Sequence, residues 1–183
     1  MPAPTFLRRI FLARLALAAL GGTLPAYARG PARLAPGQML PDVLLKGLNG
    51  APRRLASYRG KPLLINVWAS WCGPCVEEMA SLERLAWTEA RTPFAMIGIS
   101  TDDYAERARA LLERTHASIS HFIDQDLQME TLLGADKIPL TVLVDARGRL
   151  LERVQGAREW DAPETLRMIE RVFAQSPAGL QRS

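Results

Sequence analysis

The chain has 183 residues, 48% of them apolar and 23% charged, with a formal net charge of +4. This length allows one domain with its own hydrophobic core, and the near-average composition excludes a low-complexity or fibrous protein. Three of the positive charges are Arg8, Arg9 and Arg14, so the rest of the chain carries only about +1. So small a charge gives no electrostatic footprint for nucleic acid, and we expect no nucleic-acid partner.

Residues 1–28 predict an export signal peptide, because they contain no acidic residue, begin with basic residues and continue as an apolar run. Ala26-Tyr27-Ala28 has the small residues that favour cleavage after Ala28. Arg8-Arg9 resembles a twin-arginine signal, although Leu7 stands where Ser or Thr is usual, so an ordinary export signal is the alternative. The sequence therefore predicts a periplasmic protein; an uncleaved membrane anchor and a disordered tail are the other interpretations of residues 1–28.

Residues 29–40 are rich in Pro, Gly and Ala and predict a flexible lead-in to a domain over residues 41–175. Asn49-Gly50, between two short strand-like segments, favours a tight hairpin. The apolar run 63–69 indicates a strand buried on both faces, and the following pattern predicts a helix over residues 73–88.

The rest of the domain continues this alternation. A strand is predicted over 94–99, a helix over 104–115, a strand over 119–123 and a short helix over 127–133. A hairpin over 141–155 and a helix beginning at Pro163 complete it, and residues 176–183 predict a disordered tail. This order predicts an α/β fold, with a mixed sheet covered by helices.

Cys72 and Cys75 are the only cysteines, two residues apart at the predicted start of a helix. There, free N–H groups and the helix dipole favour a thiolate at Cys72, whereas Cys75 falls on the apolar face and is predicted to be the buried, resolving thiol. A zinc site would need four ligands. A purely structural disulfide is the other alternative, but one that closes a loop of only two residues stabilises a fold poorly. The pair therefore predicts reversible dithiol exchange, and no metal or cofactor is expected.

Two further features are candidates for the same site. Glu78 lies about 60° from Cys75 on the helical wheel, inside the apolar sector, whereas Glu77 points away. A carboxyl held there could move a proton to or from Cys75, although acidic residues also simply favour the first turn of a helix. A cis peptide bond at Ile138-Pro139 would place bare backbone beside the cysteines, where a substrate strand could pair with it.

Trp71-Cys72-Gly73-Pro74-Cys75, with Ile138-Pro139 downstream, resembles thioredoxin. The export signal, the opening hairpin, Asn66 and Glu78 narrow the resemblance to exported thioredoxin-like reductases of the TlpA and ResA type. The long segment between Cys75 and Pro139 is similar to the central insertion of that family. Ala80 and Leu140 depart from the family pattern, where a helix-kinking proline and a threonine are more common.

The resemblance implies a thioredoxin-like mixed sheet with helices on both faces, an N-terminal β-hairpin and a central insertion. It implies that Cys72 is the nucleophile, Cys75 the resolving thiol, Glu78 a buried acid and Pro139 a cis-proline. Trp71, Gly73, Pro74, Ile138 and Pro139 would contact the substrate.

The resemblance also implies the partners of the protein. The expected function is a monomeric periplasmic reductant of disulfide-bearing exported client proteins, with a membrane thiol-electron transporter of the DsbD or CcdA kind as electron donor. The clients would be apocytochrome c or copper-site cysteines.

Three alternatives share this fold. A copper chaperone of the Sco kind would need three residues between its cysteines and a histidine distant along the chain. Here His116 or His121 would have to reach the site. A thiol oxidant or isomerase would keep the same cysteines at a higher reduction potential. A peroxiredoxin would need Thr three residues before its cysteine, where this chain has Ala69.

Overall fold

The computed structural model describes residues 32–88 and 94–175. The predicted signal peptide and the predicted disordered tail lie outside the described residues. Within the described residues, no helix is long and apolar enough to cross a membrane.

The described residues form one seven-stranded mixed sheet in the order β2-β1-β5-β4-β3-β6-β7. Strands β3, β4 and β5 are parallel to one another, and β6 runs antiparallel to β3. The strands are β1 (Leu44–Gly47), β2 (Arg53–Arg54), β3 (Leu63–Trp68), β4 (Ala95–Ser100), β5 (Ser120–Ile123), β6 (Leu140–Val144) and β7 (Leu150–Gln155). The helices are α1 (Gly73–Thr88), α2 (Ala105–Arg114), α3 (Gln128–Leu133) and α4 (Pro163–Ala174).

Helices cover both faces of the sheet. The strand β3 is fully buried, and its side chains alternate between the two faces. Leu63, Ile65 and Val67 pack in one cluster with residues of α3. Leu64 packs with α1 and α4, and Trp68 packs with α1 and α2. The predicted fold class is confirmed, and the two βαβ units β3-α1-β4 and β4-α2-β5 place the ends of three parallel strands at one edge, where Cys72 lies.

The opening hairpin forms as predicted, but its turn differs from the tight two-residue turn that Asn49-Gly50 favours. β1 and β2 are antiparallel and joined by residues 48–52. The Asn49 side chain instead binds the neighbouring strand: its Oδ1 accepts from the His121 N–H at 2.8 Å, and its Nδ2 donates to the Ile119 carbonyl at 2.7 Å. Asn49 thus joins the hairpin to β5.

The lead-in, where described, is hydrogen-bonded to the domain, although its composition favours a flexible segment. Leu34 N–H donates to the Leu132 carbonyl at 3.0 Å, and Leu40 N–H donates to the Gly148 carbonyl at 2.8 Å. Leu40 is buried in the cluster that includes α3. These pairings outweigh the Pro, Gly and Ala content, because backbone groups and one leucine side chain find partners on the domain.

Candidate active site

The site begins where β3 ends. After Trp68, a turn leads into α1. The Cys72 N–H closes this turn by donating to the Ala69 carbonyl at 3.1 Å. The buried Asp102, just beyond β4, holds this turn: its carboxylate accepts from the Ser70 N–H at 2.8 Å and from the Ser70 hydroxyl at 2.6 Å. The backbone two residues before Cys72 is therefore tied to the next loop of the sheet edge.

Cys72 and Cys75 are joined by a disulfide, with an S–S distance of 2.04 Å. Cys72 immediately precedes α1 and Cys75 lies in its first turn, as the sequence predicts. Cys75 is fully buried, and its backbone N–H donates to the Cys72 Sγ at 3.3 Å. On reduction, this N–H and the helix N-terminus would stabilise a thiolate at Cys72.

Trp71 is 68% exposed directly before the disulfide, and Gly73 and Pro74 are exposed between its cysteines. A partner protein can therefore approach the disulfide from this side. Few large apolar side chains of the described residues are as exposed as Trp71. An exposed aromatic side chain beside the disulfide is typical of an interaction surface.

The Ile138-Pro139 peptide bond is cis. Val67 pairs with Leu140, so Pro139 lies one residue beyond this pairing, at the edge of the sheet that carries the cysteines. Ile138 is half-buried and packs against the cluster that contains Cys72 and Cys75. The structure thus brings the predicted substrate-binding residues of both loops to one edge.

Glu78 lies one turn after Cys75 and is only 2% exposed. Its Oε1 accepts from Asn66 Nδ2 at 2.7 Å, and its Oε2 accepts from Trp160 Nε1 at 2.9 Å and from the Arg158 N–H at 3.1 Å. Burial raises the pKa of Glu78, and these three donors only partly oppose that effect. Glu78 is therefore a buried carboxyl that can gain or lose a proton near the resolving cysteine, whereas Glu77 is exposed.

Several residues of the site carry no sequence signal. Asp102 and Trp160 lie in loops, far from the cysteines along the chain, and neither belongs to a periodic pattern. Ser81 receives the Trp160 N–H at 3.0 Å and donates to the Glu78 carbonyl at 2.8 Å, which docks the segment after β7 onto α1. Only a comparison of related sequences, with Asp102, Trp160 and Ser81 unchanged among them, could have indicated these three residues.

The two histidines are not brought together with the cysteines as a metal site. His121 is buried on β5, with its Nδ1 accepting from Trp68 Nε1 at 3.1 Å, and His116 is exposed after α2. Across residues 32–88 and 94–175, no group of three or more His, Cys, Asp or Glu side chains could hold a metal ion.

A disulfide at the start of a helix, a buried carboxyl one turn later and a cis-proline at the same sheet edge define a thiol–disulfide oxidoreductase with a thioredoxin-like fold. The Redoxin family model matches residues 35–169, and the chain belongs to this family.

Known relatives carry the same activity in their names. The chain is 29% identical to the thiol-disulfide oxidoreductase ResA of Geobacillus thermodenitrificans over 149 residues, which cover 81% of this chain and 86% of the relative. A solved thiol-disulfide oxidoreductase from Bacteroides fragilis superposes with a TM-score of 0.61 at 27% identity, covering 72% of this chain and 99% of that one. A secreted disulfide oxidoreductase of Mycobacterium tuberculosis, homologous to DsbE of Escherichia coli, superposes with a TM-score of 0.58 at 23% identity, covering 72% and 94%.

Proposed function

We propose that this thiol–disulfide oxidoreductase works in the periplasm as a reductant of disulfides in exported client proteins. The observation that carries this proposal is the exposed segment around Cys72 (Trp71, Gly73 and Pro74) next to a buried Cys75 and a buried Glu78 at the start of one helix. The leader-like residues 1–28 and the secreted relative from Mycobacterium tuberculosis support an extracytoplasmic location.

The reaction begins with the reduced protein. The Cys72 thiolate attacks a client disulfide, which forms a mixed disulfide and releases one client sulfur as a thiolate that takes up a proton. Cys75 then attacks the Cys72 sulfur, so the second client thiol leaves and the Cys72–Cys75 disulfide forms. Two electrons pass to the client, and a membrane thiol transporter must return two electrons to the pair.

Glu78 acts in the second step. Cys75 is buried, so its thiol loses a proton reluctantly, and a carboxylate one turn away provides an acceptor for that proton. When the disulfide is reduced again, the protonated Glu78 returns the proton to Cys75. The backbone beside cis-Pro139 and the exposed Trp71 would hold the client strand against Cys72 during both steps.

The clients we propose are apocytochrome c cysteines or the cysteines of a copper site. The similarity to ResA and the Gly73-Pro74 pair between the cysteines support a reducing role. The Gly-Pro pair between the cysteines matches thioredoxin, whose reduction potential is about −270 mV, rather than DsbA at about −120 mV.

The equilibrium reduction potential of the Cys72–Cys75 pair tests this proposal, in protein beginning at Arg29 and poised in glutathione and dithiothreitol buffers. We expect a value near that of thioredoxin. A value near that of DsbA would overturn the reductant proposal and favour an oxidant or isomerase, with Leu140 and Ala80 as the first residues to examine.

A Cys75→Ala variant tests the order of the two steps. It should accumulate a mixed disulfide between Cys72 and a model client such as a disulfide-bonded cytochrome c peptide. The matched Cys72→Ala variant should trap none, and trapping through Cys75 would contradict the assigned roles.

A further inference from the structure

A row of polar residues crosses the sheet beneath α1. The strand register pairs Thr141 with Asn66, Asn66 with Gly98, and Gly98 with His121. Residues that pair across neighbouring strands project from the same face of the sheet. Because Gly98 has no side chain, the buried His121 ring can lie over it, next in this row to Asn66.

Gly98 is necessary for this arrangement. A Cβ atom at this position would overlap the His121 ring and would lie 3.0 Å from Trp68 Nε1. Gly98 also borders a cavity of about 10 Å³, which is lined by polar Asn66 and His121 and otherwise mostly by apolar side chains. A buried water molecule needs on the order of 10–15 Å³, so the cavity has room for one water and for nothing larger.

The hydrogen-bonding state of His121 follows from its partner. The Trp68 indole nitrogen can only donate, and it donates to His121 Nδ1 at 3.1 Å, so Nδ1 carries no proton. Burial lowers the pKa of His121 to about 4, so the ring is neutral at pH 7 and its single proton is on Nε2. Nε2–H is therefore a donor, and within residues 32–88 and 94–175 it has no partner.

Asn66 has an unpaired acceptor that could complement this donor. Its Nδ2 group donates to Glu78 Oε1 at 2.7 Å and to Thr141 Oγ1 at 3.0 Å, which uses both of its hydrogens. Its Oδ1 acceptor is buried and finds no partner in the described part of the chain. The two residues that carry this buried donor and this buried acceptor, each costly if unpaired, line the same one-water cavity.

We propose that one water molecule binds in this cavity, accepting from His121 Nε2–H and donating to Asn66 Oδ1. The water completes a hydrogen-bonded chain from Trp68 through His121 and Asn66 to the carboxyl of Glu78. His121 is then a positioning residue: it acts on Glu78 through the water and Asn66, without touching the cysteines. The water site does not depend on the proposed function, since it is observable in the oxidised, resting protein.

These hydrogen bonds also influence the charge of Glu78. A water donating to Asn66 Oδ1 polarises the Asn66 amide and strengthens its Nδ2–H donation to the carboxylate. Other ionisable groups nearby are occupied or turned away: Arg158 offers Glu78 only its backbone N–H, and Glu83 at the cavity wall accepts from the Ser118 N–H at 2.9 Å. Cys75, one turn earlier, is held in the disulfide.

NMR of the oxidised protein tests the water site directly. We expect His121 at pH 7 to show a protonated Nε2 and an unprotonated Nδ1, with a cross-peak between a long-lived water and the Gly98 Hα. The exposed His116 gives an internal comparison in the same spectra. An Nδ1–H tautomer, a charged ring at pH 7, or no bound-water cross-peak at Gly98 would overturn the proposal.

Two substitutions of His121 test its link to Glu78. His121→Leu removes the donor to the water, whereas His121→Gln keeps an acceptor for Trp68 and a donor for the water. Titration of the Glu78 side-chain carbon should give a pKa about 0.5 unit or more higher in His121→Leu, and a value close to wild type in His121→Gln. Equal pKa values in the two variants would contradict the positioning role, and the wild-type spectra decide the water site even if a variant does not fold.

Discussion

The Glu78 carboxyl combines deep burial with three N–H donors and no charged partner among the groups that bind it. Burial raises its pKa in the folded protein above the ordinary value of 4.5. The native state therefore holds this proton at pH values where the unfolded state has lost it. Between the two pKa values, stability must fall as pH rises, since the unfolded chain binds fewer protons.

A Glu78→Gln variant should remove this pH dependence. As the pH rises from about 4.5 through the raised pKa of Glu78, the oxidised wild type should lose stability relative to the variant. Urea unfolding of both proteins across this range measures the difference. Glu77→Gln, on the exposed side of α1, is the control and should follow the wild-type curve; parallel curves for Glu78→Gln and wild type would show that the carboxyl is not shifted.

The same substitution should slow chemistry at Cys75. Without a carboxylate to accept the Cys75 proton, release of a client from the mixed disulfide should slow on the order of 100-fold at pH 7. Single-turnover release from a preformed mixed disulfide measures this step alone. In wild type the rate should rise with pH as Glu78 ionises. A similar release rate in Glu78→Gln would assign the proton to solvent.

At the scale of secondary-structure elements, Asp102 connects the loop after β3 with the loop after β4. It is 1% exposed, and its carboxylate accepts from both donors of Ser70 and from the Ser100 hydroxyl at 2.7 Å. Since Ser70 lies two residues before Cys72, Asp102 fixes the path by which β3 enters α1.

Replacing Asp102 by Ala should therefore destabilise the protein by about 3 kcal/mol, because it leaves buried donors of Ser70 and Ser100 unpaired. The less rigid loop should also slow client reduction when the folded protein is assayed. Asp103→Ala is the matched control: that side chain is exposed and should change stability by less than about 0.5 kcal/mol. Denaturant unfolding with an insulin-reduction assay compares the two, and equal losses would refute a specific role for Asp102.

Periodicity predicted the elements well, because α1 and the strands β3, β4 and β6 have long apolar patterns that leave little choice of structure. The position of Cys75 and the burial of Glu78 also followed from the 3.6-residue period of one helix. Contacts between distant segments were not predictable in this way. The sequence favours a turn at Asn49 and leaves His121 as a possible metal ligand, because a local pattern does not reveal which strand lies alongside.

At the scale of the whole molecule, the lead-in closes the side of the sheet away from the disulfide. Gly37 N–H donates to the Leu150 carbonyl at 2.7 Å, and Leu150 N–H donates back to the Gln38 carbonyl at 2.9 Å. Leu150 pairs with Val144, at the end of β6 opposite to Pro139. The lead-in thus contributes to the core far from the disulfide. Its effect on stability can therefore be separated from any effect on the reduction potential.

A chain beginning at Pro41 should be less stable than one beginning at Arg29 by at least about 3 kcal/mol. Burial of the Leu40 side chain contributes about 2 kcal/mol, and each lost backbone pairing contributes about 0.5–1.5 kcal/mol. Leu40→Ala in the longer chain isolates the burial contribution and should cost about 2–5 kcal/mol. Because Cys72 lies at the opposite edge, the folded fraction of the short chain should keep the reduction potential of the longer one. Equal unfolding midpoints would mean that residues 32–40 add nothing to stability, and an altered potential would mean that they influence the disulfide across the sheet.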